Sequence, residues 1–304
     1  MLVGGIASQM AAVAERVQGL DGRFLAVALA LQLATLGFRA LAWRGVLAAA
    51  YPCQKISVFS VGCAYAAGVA LNGFVPARGG EGAKIALARA QIPGSSVATI
   101  AASLSVVLAL DAALGASLIA GLWGMGLAPT LPALPSVGLV PAMAGIAVVS
   151  SIVAALAARR FPAAIRRFLA SAARGLAILR SPWVWAHTVL PFQLAAWACR
   201  IGVVYFVLHA FHIEAGLTAS VLVVVLSGVS TAVPVPGGAG SQQVLAAYAL
   251  QGTISTAGAV SFSLGMQIGV TVVNTAVGLT ALMLLFRTLR PMAAARAAAA
   301  GSAR

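Results

Sequence analysis

Five stretches of the chain are apolar and about as long as a membrane-crossing helix. They cover residues 24–42, 96–123, 138–158, 183–211 and 256–286. A hydrocarbon core about 30 Å thick needs about 20 apolar residues for each helical crossing. The composition agrees, since 62% of the 304 residues are hydrophobic and 8% are charged. The sequence therefore predicts an all-α integral membrane protein, a polytopic helical bundle without a separate soluble catalytic domain.

A short motif, VPxxGGxG, occurs twice, as VPARGGEG at 75–82 and as VPVPGGAG at 233–240. Aligned without gaps, residues 75–105 and 233–263 are identical at 11 of 31 positions. Composition alone would give about 3 identities. The similarity indicates an internal duplication.

Basic residues indicate which segments face the cytoplasm. The linker 159–182 carries six arginines and no acid, and such loops remain inside. The net charge of +14 is then explained by cytoplasmic loops, so no nucleic-acid partner is expected. The predicted organisation begins with an interfacial amphipathic helix at 1–22. One transmembrane domain follows at 23–286, made of two repeats at about 24–158 and 183–286. A flexible cytoplasmic tail covers 287–304.

Two further apolar segments are interrupted by proline and glycine, and charge predicts how each enters the membrane. With Arg39, Arg44 and Lys55 counted as cytoplasmic, both flanks of 57–92 lie inside, whereas both flanks of 217–252 lie outside. Each segment is thus predicted to be a re-entrant hairpin, and the two enter from opposite faces as an inverted repeat. The alternative is two kinked spans, which gives seven full crossings.

The hairpin tips combine glycines with charged residues. Half-helices beginning near Gly82 and Gly240 would aim free amide groups at a cavity, where a phosphate would suit them. Charged residues in apolar stretches mark a pathway or a structural pair, and the pairs we expect are Arg78 with Glu81 and Asp111 with Arg200. The predicted substrate-binding residues are Asn72, Arg78, Gly79, Gly80, Glu81, Lys84, Asp111, Arg200, Pro236, Gly237, Gly238, Gln242, Gln243 and Asn274.

Ionic recognition is expected mainly at the first tip, because the second copy is uncharged at the matching offsets. The three cysteines are scattered, and no disulfide framework, metal site or cofactor is predicted. The sequence contains no Walker motif, so no ATP site is expected.

Three runs together resemble the lysylphosphatidylglycerol synthase transmembrane family, which includes the flippase region of multiple peptide resistance factors. They are RALAWRG (39–45), NGFVPARGGEGAKIALA (72–88) with Asp111 in the next span, and VPVPGGAGSQQ (233–243). The resemblance covers about 24–286 and implies translocation of a polar lipid without a lipid-charging transferase domain. Where family members commonly carry an acid after the second Pro-Gly-Gly, this chain has Gln242 and Gln243.

The sequence therefore predicts a transporter, not an enzyme, in the cytoplasmic (inner) membrane with its C-terminus in the cytoplasm. Its substrate would be a polar or anionic lipid: a phospholipid, a lipid-linked intermediate or an isoprenoid or hopanoid lipid. A proton-coupled transporter of a small anion, or a non-transporting partner of a lipid-modifying enzyme, are the alternatives. Membrane lipids, a second copy of the chain and a lipid-biosynthesis enzyme are the partners considered.

Overall fold

Every regular element in the described part of the chain is helical. The computed structural model describes residues 19–75, 79–126, 162–230 and 241–301. The first group of helices in those ranges is α1 (Gly22–Ala50), α2 (Val58–Asn72), α3 (Gly79–Gln91) and α4 (Val97–Gly124). The remaining elements are α5 (Pro162–Gly175), a 3-10 turn (Ala177–Arg180), α6 (Pro182–Thr188), α7 (Leu190–Ala210), α8 (Leu217–Ser230), α9 (Ser241–Ala249) and α10 (Thr256–Gly301).

Four helical segments are long and apolar enough to cross a membrane. They are Gly22–Ala50, Val97–Gly124, Pro182–Ala210, which joins α6 to α7, and Thr256–Arg287. Each contains most of one apolar stretch that the sequence predicts, so four predicted crossings are confirmed by length and composition. The fifth, 138–158, and residues 1–18 of the predicted interfacial helix lie outside the described residues.

The short helices lie between the long ones in a repeated order. α2 and α3 have 15 and 13 residues, which at 1.5 Å per residue is ~22 and ~20 Å. Neither length crosses a ~30 Å hydrocarbon core. α8 and α9, with 14 and 9 residues, are also short. The order of long, short, short and long helix thus occurs twice in the described ranges.

The first hairpin, α2 with α3, begins and ends beside the C-terminal end of α1. The Gln54 side chain donates a 2.8 Å hydrogen bond to the carbonyl of Pro93, and the Tyr51 hydroxyl accepts one of 3.2 Å from the amide of Ser96. Asn72 contacts Gly80, while Tyr65 contacts Lys84, so the two helices run antiparallel.

The second hairpin, α8 with α9, begins and ends beside the N-terminal end of α1. The amide of Asp21 donates to the carbonyl of Ala210 at 3.4 Å. A surface cavity of about 430 Å³ joins Leu20 to both flanks of this hairpin, at His212 and Ser255. The two hairpins therefore open at opposite ends of the 29-residue helix α1.

Two peripheral segments, in the basic linker and the C-terminal tail, are also helical. Part of the basic linker is helical: it forms α5, in which Arg166 and Leu169 are exposed. The sequence predicts a loosely ordered tail from residue 287, but α10 continues as helix through Gly301. The reason lies in the alanine-rich run at its end, since alanine has the highest helix propensity.

Candidate functional site

A polar cavity of about 280 Å³ lies between the two hairpins. Helices α1, α2, α7, α8, α9 and α10 all contribute to its wall. The polar lining residues are Gln32, Thr35, Arg39, Tyr65, Arg200, Ser227, Gln242, Gln267, Thr271 and Asn274. A cavity with this many hydrogen-bonding groups, inside helices that are otherwise apolar, is suited to a polar ligand.

The cavity lies near the middle of the spanning helices. Gln32 and Arg39 follow the first residue of α1, Gly22, by 10 and 17 positions, or ~15 and ~26 Å along the axis. Asn274 lies 18 positions into α10, whose membrane-compatible part ends at Arg287. A ligand in the cavity would therefore be far from both ends of these helices.

Asp111 on α4 organises one side of the cavity. Its two carboxylate oxygens accept hydrogen bonds of 2.8 and 2.9 Å from the Arg39 guanidinium. The Oδ1 atom also accepts from Gln193 at 3.0 Å and from the indole of Trp197 at 2.7 Å. Charge-assisted bonds of this kind are roughly twice as strong as neutral ones. Asp111 thus fixes the cavity-lining Arg39 and ties α1, α4 and α7 together.

Arg200 on α7 is the second cation of the cavity, and its charge is not balanced by a second carboxylate among the described residues of the cavity wall. The sequence pairs Arg200 with Asp111, but the Asp111 carboxylate is hydrogen-bonded directly to Arg39, and Arg200 interacts with that carboxylate only at longer range. Among the residues that the structure describes, no carboxylate lies within 4.0 Å of the Arg200 guanidinium. That guanidinium lies 5.4 Å from the centroid of the Trp197 ring and lines the cavity.

The predicted residues of the first hairpin form a separate, compact cluster. The Lys84 ammonium binds both oxygens of Glu81 at 2.9 and 3.1 Å and lies 4.2 Å from the centroid of the Tyr65 ring. Asn72 donates to Glu81 at 3.0 Å and accepts from the Gly80 amide at 2.9 Å. Lys84 is 2% exposed, and its charge is compensated by that of Glu81, so the described residues of this cluster are together neutral. Tyr65, which also lines the cavity, connects the two sites.

The first hairpin corrects two expectations about glycines and free amides. α3 begins at Gly79, three residues before the predicted Gly82, so Gly79 and Gly80 are helical. The Gly80 amide is bonded to Asn72 and is not free for a phosphate. Gly80 instead permits close packing, because a Cβ there would meet the carbonyl oxygen of Gly68 and the Asn72 side chain.

The predicted residues of the second hairpin are described in part. Gln242 lines the cavity, and Gln243 donates a 2.6 Å hydrogen bond to Gln267. Asn274 accepts one of 2.9 Å from Gln32 across the cavity wall. Arg78, Pro236, Gly237 and Gly238 lie outside the described residues. Of the described candidates, Arg200, Gln242 and Asn274 thus reach the cavity, whereas Asp111 acts on it through Arg39.

Several site residues are absent from the sequence prediction, and Arg39 is the most important. The sequence predicts a cytoplasmic Arg39, but this residue lies 11 positions before the end of α1 and only 20% of its side chain is exposed. The sequence signal that would have placed Arg39 inside the helix is the apolar run at 45–50, through which α1 continues beyond the predicted boundary at 42. The glutamines at 32, 193 and 267 carry no local signal that separates them from ordinary helix residues.

No group of three potential metal ligands occurs among the described residues. His209 is bonded to the carbonyl of Tyr205 at 2.9 Å and His212 to that of Gly19 at 3.1 Å. The His212 contact holds the C-terminal end of α7 beside the residues that precede α1, whereas the His209 contact lies within α7.

Fold and site together define a polytopic helical membrane protein with a polar cavity at its centre. The family model described as lysylphosphatidylglycerol synthase TM region matches residues 2–278. This match covers most of the chain, which therefore belongs to that family, as its motifs predict. The chain is a multi-pass membrane protein. Neither the comparison with curated proteins nor the comparison with solved structures finds a match.

Proposed function

We propose that the protein is a lipid transporter in the cytoplasmic membrane. The lipid's polar head group passes through the central cavity while its acyl chains remain in the bilayer. The observation that carries this proposal is the mid-helix cavity with Arg200, which has no carboxylate within 4.0 Å among the described residues. A cation without a direct carboxylate contact is costly at such a depth, and a bound anionic group would compensate it.

The positions of the hairpins support alternating access to this cavity. Both flanks of the first hairpin lie beside Tyr51, and both flanks of the second lie beside Leu20, at the other end of α1. α2 packs against α10, and α8 packs against α4, so each hairpin contacts the last long helix of the other half. The two halves thus meet around the cavity, and in inverted repeats a substrate site at such an interface is opened by movement of one repeat against the other.

The charge distribution supports a cytoplasmic location for the first hairpin's flanks. Arg44, Lys55, Arg89, Arg174 and Arg180 lie in or near elements that meet at the C-terminal end of α1. α10 runs from the opposite end toward this face. Under the positive-inside rule this face is cytoplasmic, and the C-terminus lies there too.

Labelling with a membrane-impermeant maleimide tests this topology. Cys53 is exposed beside the first hairpin, and Thr253 is exposed beside the second. With Cys63 and Cys199 replaced by alanine, we expect Cys53 to react only when the cytoplasmic face is accessible. Thr253→Cys, in a chain without native cysteines, should react only from outside. Reaction of both sites from one face would rule out opposed hairpins.

Translocation itself can be measured with purified protein in phosphatidylcholine vesicles. Phosphatidylglycerol, polyisoprenyl phosphates and hopanoids, each with a fluorescent label on its apolar part, form a suitable panel, with a reagent in the outer solution that quenches accessible label. We expect at least one lipid to move faster than in protein-free vesicles. If none does, the lipid transporter is excluded. Electrogenic uptake of a small anion without lipid movement would then favour the secondary transporter.

A further inference from the structure

We infer that the cavity selects a lipid head group with one phosphodiester charge and free hydroxyls, and rejects head groups that carry an amine. This inference rests on the proposed function and specifies its substrate class. It differs from the sequence expectation that ionic recognition lies mainly at the first hairpin, because the charges of Lys84 and Glu81, the described ions of that hairpin tip, compensate each other.

The charge of the cavity favours a monoanion. Two guanidinium groups, those of Arg39 and Arg200, line the cavity and repel each other. The carboxylate of Asp111 compensates Arg39, which leaves one positive charge. A phosphodiester carries one negative charge, and its two non-bridging oxygens can accept a bidentate pair of hydrogen bonds from a planar guanidinium. A phosphomonoester brings up to two negative charges and would leave part of its charge unmatched at this depth.

The same groups disfavour an amine. None of the described lining residues is an acid, and the nearby Asp111 carboxylate already accepts bonds from Arg39, Gln193 and Trp197. An ammonium group on the lipid would therefore enter beside two like charges without a free carboxylate. Like-charge contact of this kind gives specificity by exclusion.

Neutral polar residues supply a complementary surface for hydroxyls. Gln32 and Asn274 share one hydrogen bond, between Gln32 Nε2 and Asn274 Oδ1. A side-chain amide has two donor hydrogens and an acceptor oxygen, so the Gln32 oxygen and the Asn274 nitrogen can serve a ligand. The cavity has a volume of about 280 Å³. This space suits a phosphate with a small polyol.

Acyl-labelled lipids with matched head groups test this inference in phosphatidylcholine vesicles. Phosphatidylglycerol has one charge and hydroxyls, phosphatidylethanol has the charge alone, phosphatidic acid is a phosphomonoester, and lysyl-phosphatidylglycerol adds amines. We expect phosphatidylglycerol to move fastest, by about tenfold over the other three. Phosphatidylethanol lacks the hydroxyls, phosphatidic acid can carry a second negative charge, and lysyl-phosphatidylglycerol brings positive charges beside the two guanidinium groups.

Substitutions in the cavity test which residues produce the head-group selectivity. Arg200→Gln should slow phosphatidylglycerol about tenfold without slowing acyl-labelled phosphatidylcholine, and Arg200→Lys should retain part of the preference. Gln32→Leu should remove the difference between phosphatidylglycerol and phosphatidylethanol. Arg89→Gln is the matched control, because Arg89 is exposed on α3 and outside the cavity. If Arg200→Gln does not fold, Arg200→Lys and Gln32→Leu still test the assignment.

The possible outcomes distinguish the head-group inference from the proposed lipid transport. Equal movement of all lipids, or fastest movement of lysyl-phosphatidylglycerol, overturns the head-group inference but leaves lipid transport in place. Unchanged selectivity in all three cavity variants also overturns it. Absence of any lipid movement overturns the proposed function and, with it, this inference.

Discussion

Asp111→Ala is expected to destabilise the protein by roughly 3 kcal/mol and to stop lipid movement. The substitution removes the partner of Arg39 and leaves the Gln193 amide and the Trp197 indole without their acceptor. Removing one member of a buried ion pair costs about 3–5 kcal/mol, and the lower value applies because about a fifth of each partner's side chain is exposed. Unfolding in detergent, followed by circular dichroism, measures the change.

A double substitution separates the effect of the ion pair on stability from the effect of side-chain packing. Arg39→Leu with Asp111→Leu removes both charges together, and replacement of a buried pair by apolar residues is often neutral or stabilising. We therefore expect the double variant to be more stable than Asp111→Ala, yet still inactive because Arg39 no longer lines the cavity. If Asp111→Ala unfolds like the parent protein, Asp111 does not hold α1, α4 and α7 together.

Gly80→Ala is expected to disrupt the first hairpin. The new Cβ would meet the carbonyl oxygen of Gly68 and would lie 2.6 Å from the Asn72 Oδ1 atom. A backbone carbonyl cannot rotate away as a side chain can, so α2 and α3 must move apart. Overpacking of this kind costs about 1–3 kcal/mol, to which the loss of the Asn72 bonds to Gly80 and Glu81 is added. The unfolding free energy in detergent should fall accordingly.

Gly82→Ala provides the matched control two residues further along α3. A Cβ at Gly82 meets no atom within 4 Å, and alanine is favoured over glycine inside a helix by up to about 1 kcal/mol. This variant should thus be as stable as the parent or more so. Equal stability of the two alanine variants would mean that α2 and α3 do not pack through Gly68 and Gly80.

Local sequence signals predict the spans and the breaks, because hydropathy and proline or glycine act within one segment. The four crossings and the short helices that end at Asn72 and Ser230 follow from such signals. The cavity between the halves also follows in outline, since the repeated motif places two broken segments in matching positions.

Contacts between distant helices are not predictable in this way. Arg39 and Arg200 both lie in apolar helices, and which of them meets Asp111 depends on the rotation and packing of α1, α4 and α7. The need for glycine at position 68 likewise arises only from contacts with the neighbouring helix, at Lys84 and Gly80. Gln32 and Asn274, 242 residues apart, form part of the cavity for the same reason.

Reversible blocking of the cavity tests most directly whether lipid passes through it. In a chain without native cysteines, Asn274→Cys places a thiol in the cavity, while Val272→Cys places one on a face of α10 that is 61% exposed, outside the cavity. A bulky methanethiosulfonate should reduce lipid movement by Asn274→Cys protein to the protein-free rate, a reducing agent should restore it, and Val272→Cys should be unaffected. Unchanged movement after complete modification of Asn274→Cys, or equal inhibition of both variants, would contradict passage through this cavity.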